Sequence, residues 1–317
     1  MKLSLFLPAI PDLKWQLARQ MGVRSAIVKL APDLTGTLPP WDLEALEFHQ
    51  NRFRDAGLEI AGLEGDPFDV QAIKFGLPGR DEAIERYCQM LRNMGRLGIR
   101  LLCYNFMAGI GWYRTNTAIV ERGGALVSGF DLAETKKQLL TEYGEVPAER
   151  IWENYQYFIQ RVIPVAEEAG VVMGLHPDDP PVSPLRGIGR VFINANAVRR
   201  ALALSASPSH QLTFCFGSYR TMGEDAEALL REWKDRVAFV HLRDVNGTPE
   251  RFQETMLDEG PMGLVAMLRL CRELGFKGWL RPDHVPTLAG EENLHPGYET
   301  KGLLFATGYI KGILDSL

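Results

Sequence analysis

Four short apolar segments in the second half of the chain each lead into a residue that can bind a metal ion. Each segment has the length of a buried β-strand, and together they span residues 171–175, 211–215, 237–241 and 278–282. The residues at their ends are, in order, His176, Cys215, His241 and Asp283. One such ending is weak evidence, but four consecutive endings are hard to attribute to chance and predict a shared site.

The first of these endings shows why the chain must leave the strand there. His176 is followed by Pro177, two carboxylates and two further prolines. Because proline has no N–H and a fixed φ, a central strand stops at this point. The result is a polar cluster at the carboxyl end of a buried strand, which is where α/β proteins bind ligands.

Two imidazoles, one thiolate and one carboxylate form a mixed set of soft and hard donors. From ligand softness alone, we expect zinc, iron(II) or cobalt before manganese. Strand ends leave room for water or substrate oxygens as further ligands, which is typical of a catalytic rather than a structural site. A metal ion beside a histidine or tyrosine suits proton transfer at a carbon next to a carboxylate.

An anionic substrate would also need a cationic group near these strands. Arg186, Arg190, Arg243 and Arg281 lie close to the ligand residues in the sequence. Each of them, taken singly, is better explained as a structural ion-pair partner. The sequence therefore leaves the choice of a cationic clamp open.

The elements that would position these residues alternate between strands and helices along the chain. Eight strands, each followed by a helix or a helix-containing segment, imply parallel pairing and right-handed crossovers. Eight such units predict an α/β protein with a closed (β/α)8 TIM barrel. An open doubly wound sheet is the alternative, but no glycine-rich turn follows the first strand. The first four predicted strands span residues 3–7, 25–29, 58–63 and 99–103.

We predict a single barrel domain over residues 1–317, with a long loop after the fourth strand. This loop covers residues 108–147, is rich in glycine and shows no regular pattern. Long loops of this kind are usually lids or substrate-binding segments. The sequence leaves open whether this one closes over a substrate.

The composition is that of a globular protein, with 46% hydrophobic and 24% charged residues. A net charge of −5 argues against binding to nucleic acid. The apolar start of the chain is too short for a signal peptide, and no run approaches the ~18 residues of a membrane span. We therefore expect a cytoplasmic protein without nucleic-acid or membrane partners. A homo-oligomer is a reasonable expectation for a barrel enzyme.

Several sequence elements, in matching order, resemble the mannonate dehydratase family of the xylose-isomerase-like barrels. The most specific are His-Pro-Asp-Asp-Pro-Pro, which begins at His176, and Arg-Pro-Asp-His, which ends at His284. The resemblance covers most of the chain from about residue 60 onward. The other matching elements lie at residues 76–81, 103–107, 112–115, 163–170, 214–218, 241–243 and 296–298.

The resemblance implies dehydration of a sugar acid, D-mannonate, to 2-keto-3-deoxy-D-gluconate and water in hexuronate catabolism. It implies Mn²⁺ as the metal. We prefer this prediction to the one from ligand softness, and Fe²⁺, Co²⁺ and Zn²⁺ are the alternatives. The metal would be held by the four strand-end residues. His284 and Tyr298 would be the acid/base pair, with their individual roles left open. We also predict substrate contacts for Asp178, Arg190, Ser218, Arg243, Asn105 and Trp112.

The chain departs from the family pattern in places that would line the pocket. An arginine-containing first strand is replaced by residues 3–8, and Val285 follows His284 where the family usually has glycine. One alternative is therefore a dehydratase of a different aldonate. Another is a sugar isomerase or epimerase, which would more often use several carboxylate ligands, and here only Glu64 hints at a second one. A binding barrel without turnover is disfavoured, because the ligand and acid/base residues are all present.

Overall fold

Eight parallel strands close into a barrel, and this confirms the predicted (β/α)8 fold. The computed structural model describes residues 1–29 and 39–317. These residues include twelve strands: β1 (Lys2–Leu7), β2 (Ser25–Val28), β3 (Glu59–Glu64), β4 (Leu101–Asn105), β5 (Asn116–Val120), β6 (Leu126–Asp131), β7 (Val172–His176), β8 (His210–Cys215), β9 (Val237–Leu242), β10 (Val245–Thr248), β11 (Arg251–Glu254) and β12 (Trp279–Pro282). The barrel order is β1-β12-β9-β8-β7-β4-β3-β2.

Helices cover the outside of the barrel and begin and end at sequence signals. Asp12 accepts a hydrogen bond from the Lys14 N–H at 2.9 Å and caps the first helix. The longest helix ends at Gly170, whose φ of +64° is readily adopted by glycine. The helices are α1 (Leu13–Gln20), α2 (Leu43–Asp55), α3 (Gln71–Phe75), α4 (Arg80–Leu97), α5 (Leu132–Thr135), α6 (Ala148–Ala169), α7 (Ala195–Leu202), α8 (Phe216–Thr221), α9 (Ala226–Glu232), α10 (Leu264–Glu273) and α11 (Thr300–Ser316).

None of the helices in the described part of the chain combines the length and apolarity needed to cross a membrane.

The segment after β4 has more regular structure than the sequence predicted. In place of an irregular loop over residues 108–147, β5 and β6 form a hairpin, and α5 follows directly. Gly123 and Gly124, with φ of +64° and +85°, lie between the two strands. A Gly-Gly pair between two strand-like runs is a hairpin signal, and the prediction of an irregular loop overlooked it.

A second hairpin, β10–β11, follows β9 and pairs with the first. The four strands form an antiparallel sheet in the order β10-β11-β6-β5. Strand β11 pairs with β6, with Phe252 opposite Phe130. We refer to these four strands as the small sheet. It brings residues 251–253 next to residues 129–131, although more than a hundred residues separate them in the sequence.

The interior of the barrel is apolar beneath its polar rim. One cluster of buried side chains consists of Ile27, Leu101, Cys103 and Phe239. Because side chains alternate along a strand, Phe239 and His241 point to the same face of β9. Their ring centroids lie 4.7 Å apart. The apolar cluster therefore packs directly beneath the residues at the strand ends and forms the bottom layer, or floor, of the site.

Replacement of Phe239 by alanine should leave a cavity in this floor. We expect Phe239→Ala to lower the free energy of unfolding by about 3–5 kcal/mol, because Phe239 is fully buried. Urea denaturation of metal-free protein measures the effect. The matched control is Phe48→Ala on the exposed face of α2, which should change stability by about 0.5 kcal/mol or less. Equal losses in the two variants would contradict a packed barrel interior.

Candidate active site

The four predicted metal ligands come together where β7, β8, β9 and β12 end. These strands are neighbours in the barrel order. The ligand atoms of His176, Cys215, His241 and Asp283 all lie within 4.8 Å of one another. Cys215 Sγ is 3.7 Å from Asp283 Oδ2, and His241 Nδ1 is 3.6 Å from Asp283 Oδ1. The described residues therefore include a candidate metal-binding group at the barrel rim.

The hydrogen bonding of the two histidines leaves nitrogen atoms available for a bound cation. The side chain of His241 is 1% exposed, and neither of its ring nitrogens has a hydrogen-bond partner. A buried polar group without a hydrogen-bond partner lowers the stability of the fold, and binding of a metal ion to the imidazole would offset this loss. His176 Nδ1 lies 2.7 Å from the Pro177 carbonyl oxygen. Because that oxygen only accepts, Nδ1 donates, and Nε2 remains available for a metal.

A cavity of about 250 Å³ opens at the rim beside this group. Its walls combine aromatic rings, carboxylates, imidazoles and one lysine. Both predicted acid/base residues lie on it. The lining residues that bear on the chemistry are Phe6, Lys29, Glu64, Asn105, Trp112, His176, Asp179, His241, Asp283, His284 and Tyr298.

Two of the six predicted substrate contacts, Asn105 and Trp112, line the cavity. Asn105 Oδ1 accepts a hydrogen bond from Lys74 Nζ at 3.1 Å, which fixes the orientation of the amide. The indole of Trp112 lies 4.7 Å from the His284 ring, and its buried N–H has no partner in the described structure. Both side chains are therefore placed where they could contact a bound molecule.

The other four lie outside the residues that line the cavity, and each forms hydrogen bonds with other parts of the protein. Asp178 Oδ2 accepts from the backbone N–H groups of residues 191 and 192, at 2.9 and 2.8 Å. Arg190 donates to the carbonyls of residues 110 and 111, at 2.7 and 2.8 Å. Ser218 accepts from Arg243 at 3.0 Å. In the His-Pro-Asp-Asp element it is Asp179, not Asp178, that reaches the cavity.

The acid/base candidates are neighbours in the lining of the cavity. The ring centroids of His284 and Tyr298 lie 5.4 Å apart. His284 Nδ1 is 2.6 Å from Glu254 Oε1. Burial, together with the nearby charge of Asp283, holds the pKa of Tyr298 well above its usual range. Tyr298 therefore keeps its proton at neutral pH.

Asp283 is held between two buried arginines. Arg281 Nη2 lies 2.9 Å from Asp283 Oδ1, and Arg243 Nε lies 2.9 Å from Asp283 Oδ2. Arg281 also donates to Glu64 through Nε at 3.0 Å. Although burial opposes ionisation, Arg281 and His241 lower the pKa of Glu64 to about 2. Arg243 and Arg281 are thus structural ion-pair partners, which was one of the two explanations that the sequence left open.

The ion pairs continue from Arg243 towards the small sheet. Arg243 Nη2 lies 2.6 Å from Asp179 Oδ2. Arg114 donates to both oxygens of Asp179, at 2.6 and 2.9 Å, and to Glu254 Oε1 at 2.8 Å. Gly217 makes room for this arrangement, because a Cβ there would lie 2.7 Å from Arg243 Cγ. Although burial opposes ionisation, His284 and Arg114 lower the pKa of Glu254 to about 2.

Sequence reasoning missed two residues that bear on this site, Lys29 and Glu254. Lys29 directly follows β2, lines the cavity and is exposed, and no described carboxylate forms an ion pair with it. Its position after a strand is the same signal that identified the metal ligands. Glu254 belongs to the unpredicted small sheet, so no pattern in the sequence linked it to His284.

A sequence model described as D-mannonate dehydratase matches residues 11–138 and 131–317. The chain belongs to the D-mannonate dehydratase family. A mannonate dehydratase of Streptococcus agalactiae is 33% identical over 306 residues, covering 87% of each chain. Mannonate dehydratase 2 of Halalkalibacterium halodurans is 32% identical over 331 residues, covering 95% of this chain and 94% of that protein.

A solved structure supports the same assignment. The crystal structure of a mannonate dehydratase from Streptococcus suis serotype 2 matches with a TM-score of 0.90 and 28% identity. The match covers 100% of this chain and 94% of that one. The resemblance found in the sequence is thereby confirmed, and the protein is an enzyme of the hydro-lyase class.

Removal of the Cys215 thiol tests the predicted ligand set in this D-mannonate dehydratase family member. We expect Cys215→Ser to lower the affinity for a divalent cation by about 10-fold or more, since a hydroxyl is a much poorer ligand than a thiolate. Metal content after dialysis, measured by elemental analysis, reports the loss. Cys271→Ser alters an equally buried cysteine in α10 and should keep the metal. Full metal content in Cys215→Ser would remove this residue from the ligand set.

Proposed function

We propose that this protein is a Mn²⁺-dependent dehydratase that converts D-mannonate to 2-keto-3-deoxy-D-gluconate and water. The observation that carries the proposal is the convergence of the four-residue metal-binding group with His284 and Tyr298 on one cavity. The similarity to curated mannonate dehydratases at 33% identity supports D-mannonate as the substrate. Fe²⁺, Co²⁺ and Zn²⁺ remain alternatives to be compared with Mn²⁺ in the assay.

The metal would be held by His176, Cys215, His241 and Asp283. A bound divalent cation would stabilise the negative charge that is delocalised into the substrate carboxylate when C2 loses its proton. The protein supplies the remaining chemistry. Burial alone would raise the pKa of Asp283, but the charges of Arg281 and Arg243 beside it lower that pKa well below its usual range, so Asp283 stays anionic.

We assign proton removal from C2 to His284 and protonation of the leaving group to Tyr298. With Nδ1 donating to Glu254, His284 presents the lone pair of Nε2 as a base. Tyr298 keeps its phenolic proton because its pKa is raised, so it can protonate the C3 hydroxyl as the C3–O bond breaks. Water leaves, and an enol remains between C2 and C3. Protonation at C3 then yields the 2-keto-3-deoxy acid.

The isomerase or epimerase alternative receives no support from the arrangement of carboxylates. Glu64 is the residue that would enlarge the ligand set, and it lies near His241 and Cys103. Glu64 and these two residues form a separate group of three, and Asp283 is the one carboxylate in the group of four. The candidate metal-binding group therefore keeps one carboxylate, as proposed for the dehydratase.

Product analysis with a panel of hexonates and pentonates tests the proposal. Metal-loaded protein should form a 2-keto-3-deoxy acid from D-mannonate, with activity greatest in Mn²⁺. Tyr298→Phe and His284→Asn should each reduce kcat by at least about 100-fold, because each removes a proton-transfer group. Tyr309→Phe, on the outer helix α11, should retain activity.

Formation of product from a different sugar acid alone would identify that acid as the substrate and leave the proposed mechanism unchanged. Absence of product from every acid would refute the dehydratase.

Lys29 is the cavity-lining cation that we propose to balance the charge of the sugar acid. Arg281 is already paired with Glu64 and Asp283, and Lys74 with Asp66. We expect Lys29→Met to raise KM for the acid by about 10-fold with little change in kcat, since it removes ground-state binding. Steady-state kinetics measures both constants. Lys277→Met, which precedes β12 at the opposite end of the barrel, should leave both unchanged. An unaltered KM in Lys29→Met would contradict the assignment.

A further inference from the structure

Glu254 connects the small sheet to the cavity. It is the last residue of β11, is 4% exposed, and belongs to none of the barrel strands. A single oxygen, Oε1, lies 2.6 Å from His284 Nδ1, 2.8 Å from Arg114 Nη2 and 3.6 Å from Arg243 Nη1. A buried carboxylate that converges on an acid/base candidate in this way requires an explanation.

The need to neutralise the charges of Arg114 and Arg243 does not explain why Glu254 is buried at this position. Arg114 forms a bidentate pair with Asp179, and Arg243 is paired with both Asp179 and Asp283. Both guanidiniums would therefore keep buried carboxylate partners without Glu254. His284 does depend on Glu254. Among the described residues, Glu254 is the hydrogen-bond partner of His284 Nδ1.

The direction of this hydrogen bond fixes the chemistry of the imidazole. An ionised carboxylate only accepts, so Nδ1 must carry the proton, and in the neutral ring Nε2 then carries the lone pair. Nε2 lies on the side of Asp283, 3.8 Å from its Oδ1. Trp112, whose ring centroid is 4.7 Å from that of His284, restricts the tilt of the ring. The tautomer and the orientation of His284 are both set by neighbours.

We infer that Glu254 is a positioning residue that holds His284 in the Nδ1–H tautomer with Nε2 directed at the substrate. The small sheet, through β11, thereby takes part in the chemistry although it lies outside the barrel. This inference rests on the proposed role of His284 in moving the C2 proton. Removal of a carboxylate that orients a metal-bound imidazole costs about 10- to 100-fold in affinity or activity, which gives the scale expected here.

The test compares Glu254→Gln with wild type and with Glu250→Gln. Glutamine keeps the shape and an oxygen that can accept from Nδ1, and removes the charge. Glu250 is an exposed residue in the same hairpin and is the matched control. Two readouts are used. One is the proton resonance of the hydrogen-bonded Nδ1–H, assigned by its absence in His284→Asn. The other is the separate measurement of kcat and KM with D-mannonate at equal metal content.

The inference predicts a specific pattern. In Glu254→Gln the Nδ1–H resonance should move upfield or disappear, and kcat should fall by about 10- to 100-fold with KM within about threefold of wild type. Glu250→Gln should resemble wild type in both readouts. In the His284→Asn background, Glu254→Gln should cause no further loss of kcat, because the two residues act as one unit.

Two results would overturn the inference. One is an unchanged Nδ1–H resonance together with an unchanged kcat in Glu254→Gln. The other is an equal loss of kcat with and without His284, which would assign Glu254 to general stability. The resonance is read without substrate, so it tests the contact even if wild-type protein forms no product from any sugar acid. Failure of the proposed function and failure of this inference are therefore distinguishable.

Discussion

The site depends on a chain of buried charges that alternate in sign around the barrel rim. Glu64, Arg281 and Asp283 form its first half, and each neighbouring pair lies within salt-bridge distance. From Asp283 the chain continues through Arg243 and Asp179 to Arg114 and ends at Glu254. An isolated buried charge would be strongly destabilising, whereas in this chain every ion has an opposite charge beside it. Removal of one member would take away one of the opposite charges beside each of its neighbours.

This arrangement limits what each charged residue can do. Arg243 and Arg281 are the cations nearest to the metal-binding group in sequence, and both are fully engaged by carboxylates. They hold the carboxylate of Asp283, the proposed metal ligand, and are poorly suited to bind a substrate carboxylate as well. In the proposed function, the charge of the substrate would be balanced by the metal ion and by Lys29, which directly follows β2 and lines the cavity.

The barrel and the metal-binding group could be predicted because both follow from short-range patterns. A strand of about five apolar residues that ends in a ligand residue is visible in the sequence, and the closed barrel brings four such ends together. The pairing between the two hairpins of the small sheet was missed because it is long-range, as with Phe252 opposite Phe130. For the same reason no pattern linked Arg114 to Asp179, or Glu254 to His284. Asp178 and Asp179 differ by one position, and only the fold decides which of them reaches the cavity.

The two halves of the barrel rim contribute different kinds of residue to the cavity. The ends of β7, β8, β9 and β12 carry the metal-binding group and His284. The ends of β1 to β4 contribute Phe6, Lys29, Glu64 and Asn105 to the opposite wall. Phe6 in β1 packs against Tyr298, with the two ring centroids 5.6 Å apart. A change at Phe6 would therefore alter both the shape of the cavity and the packing around Tyr298, so the two halves of the rim are coupled through this contact.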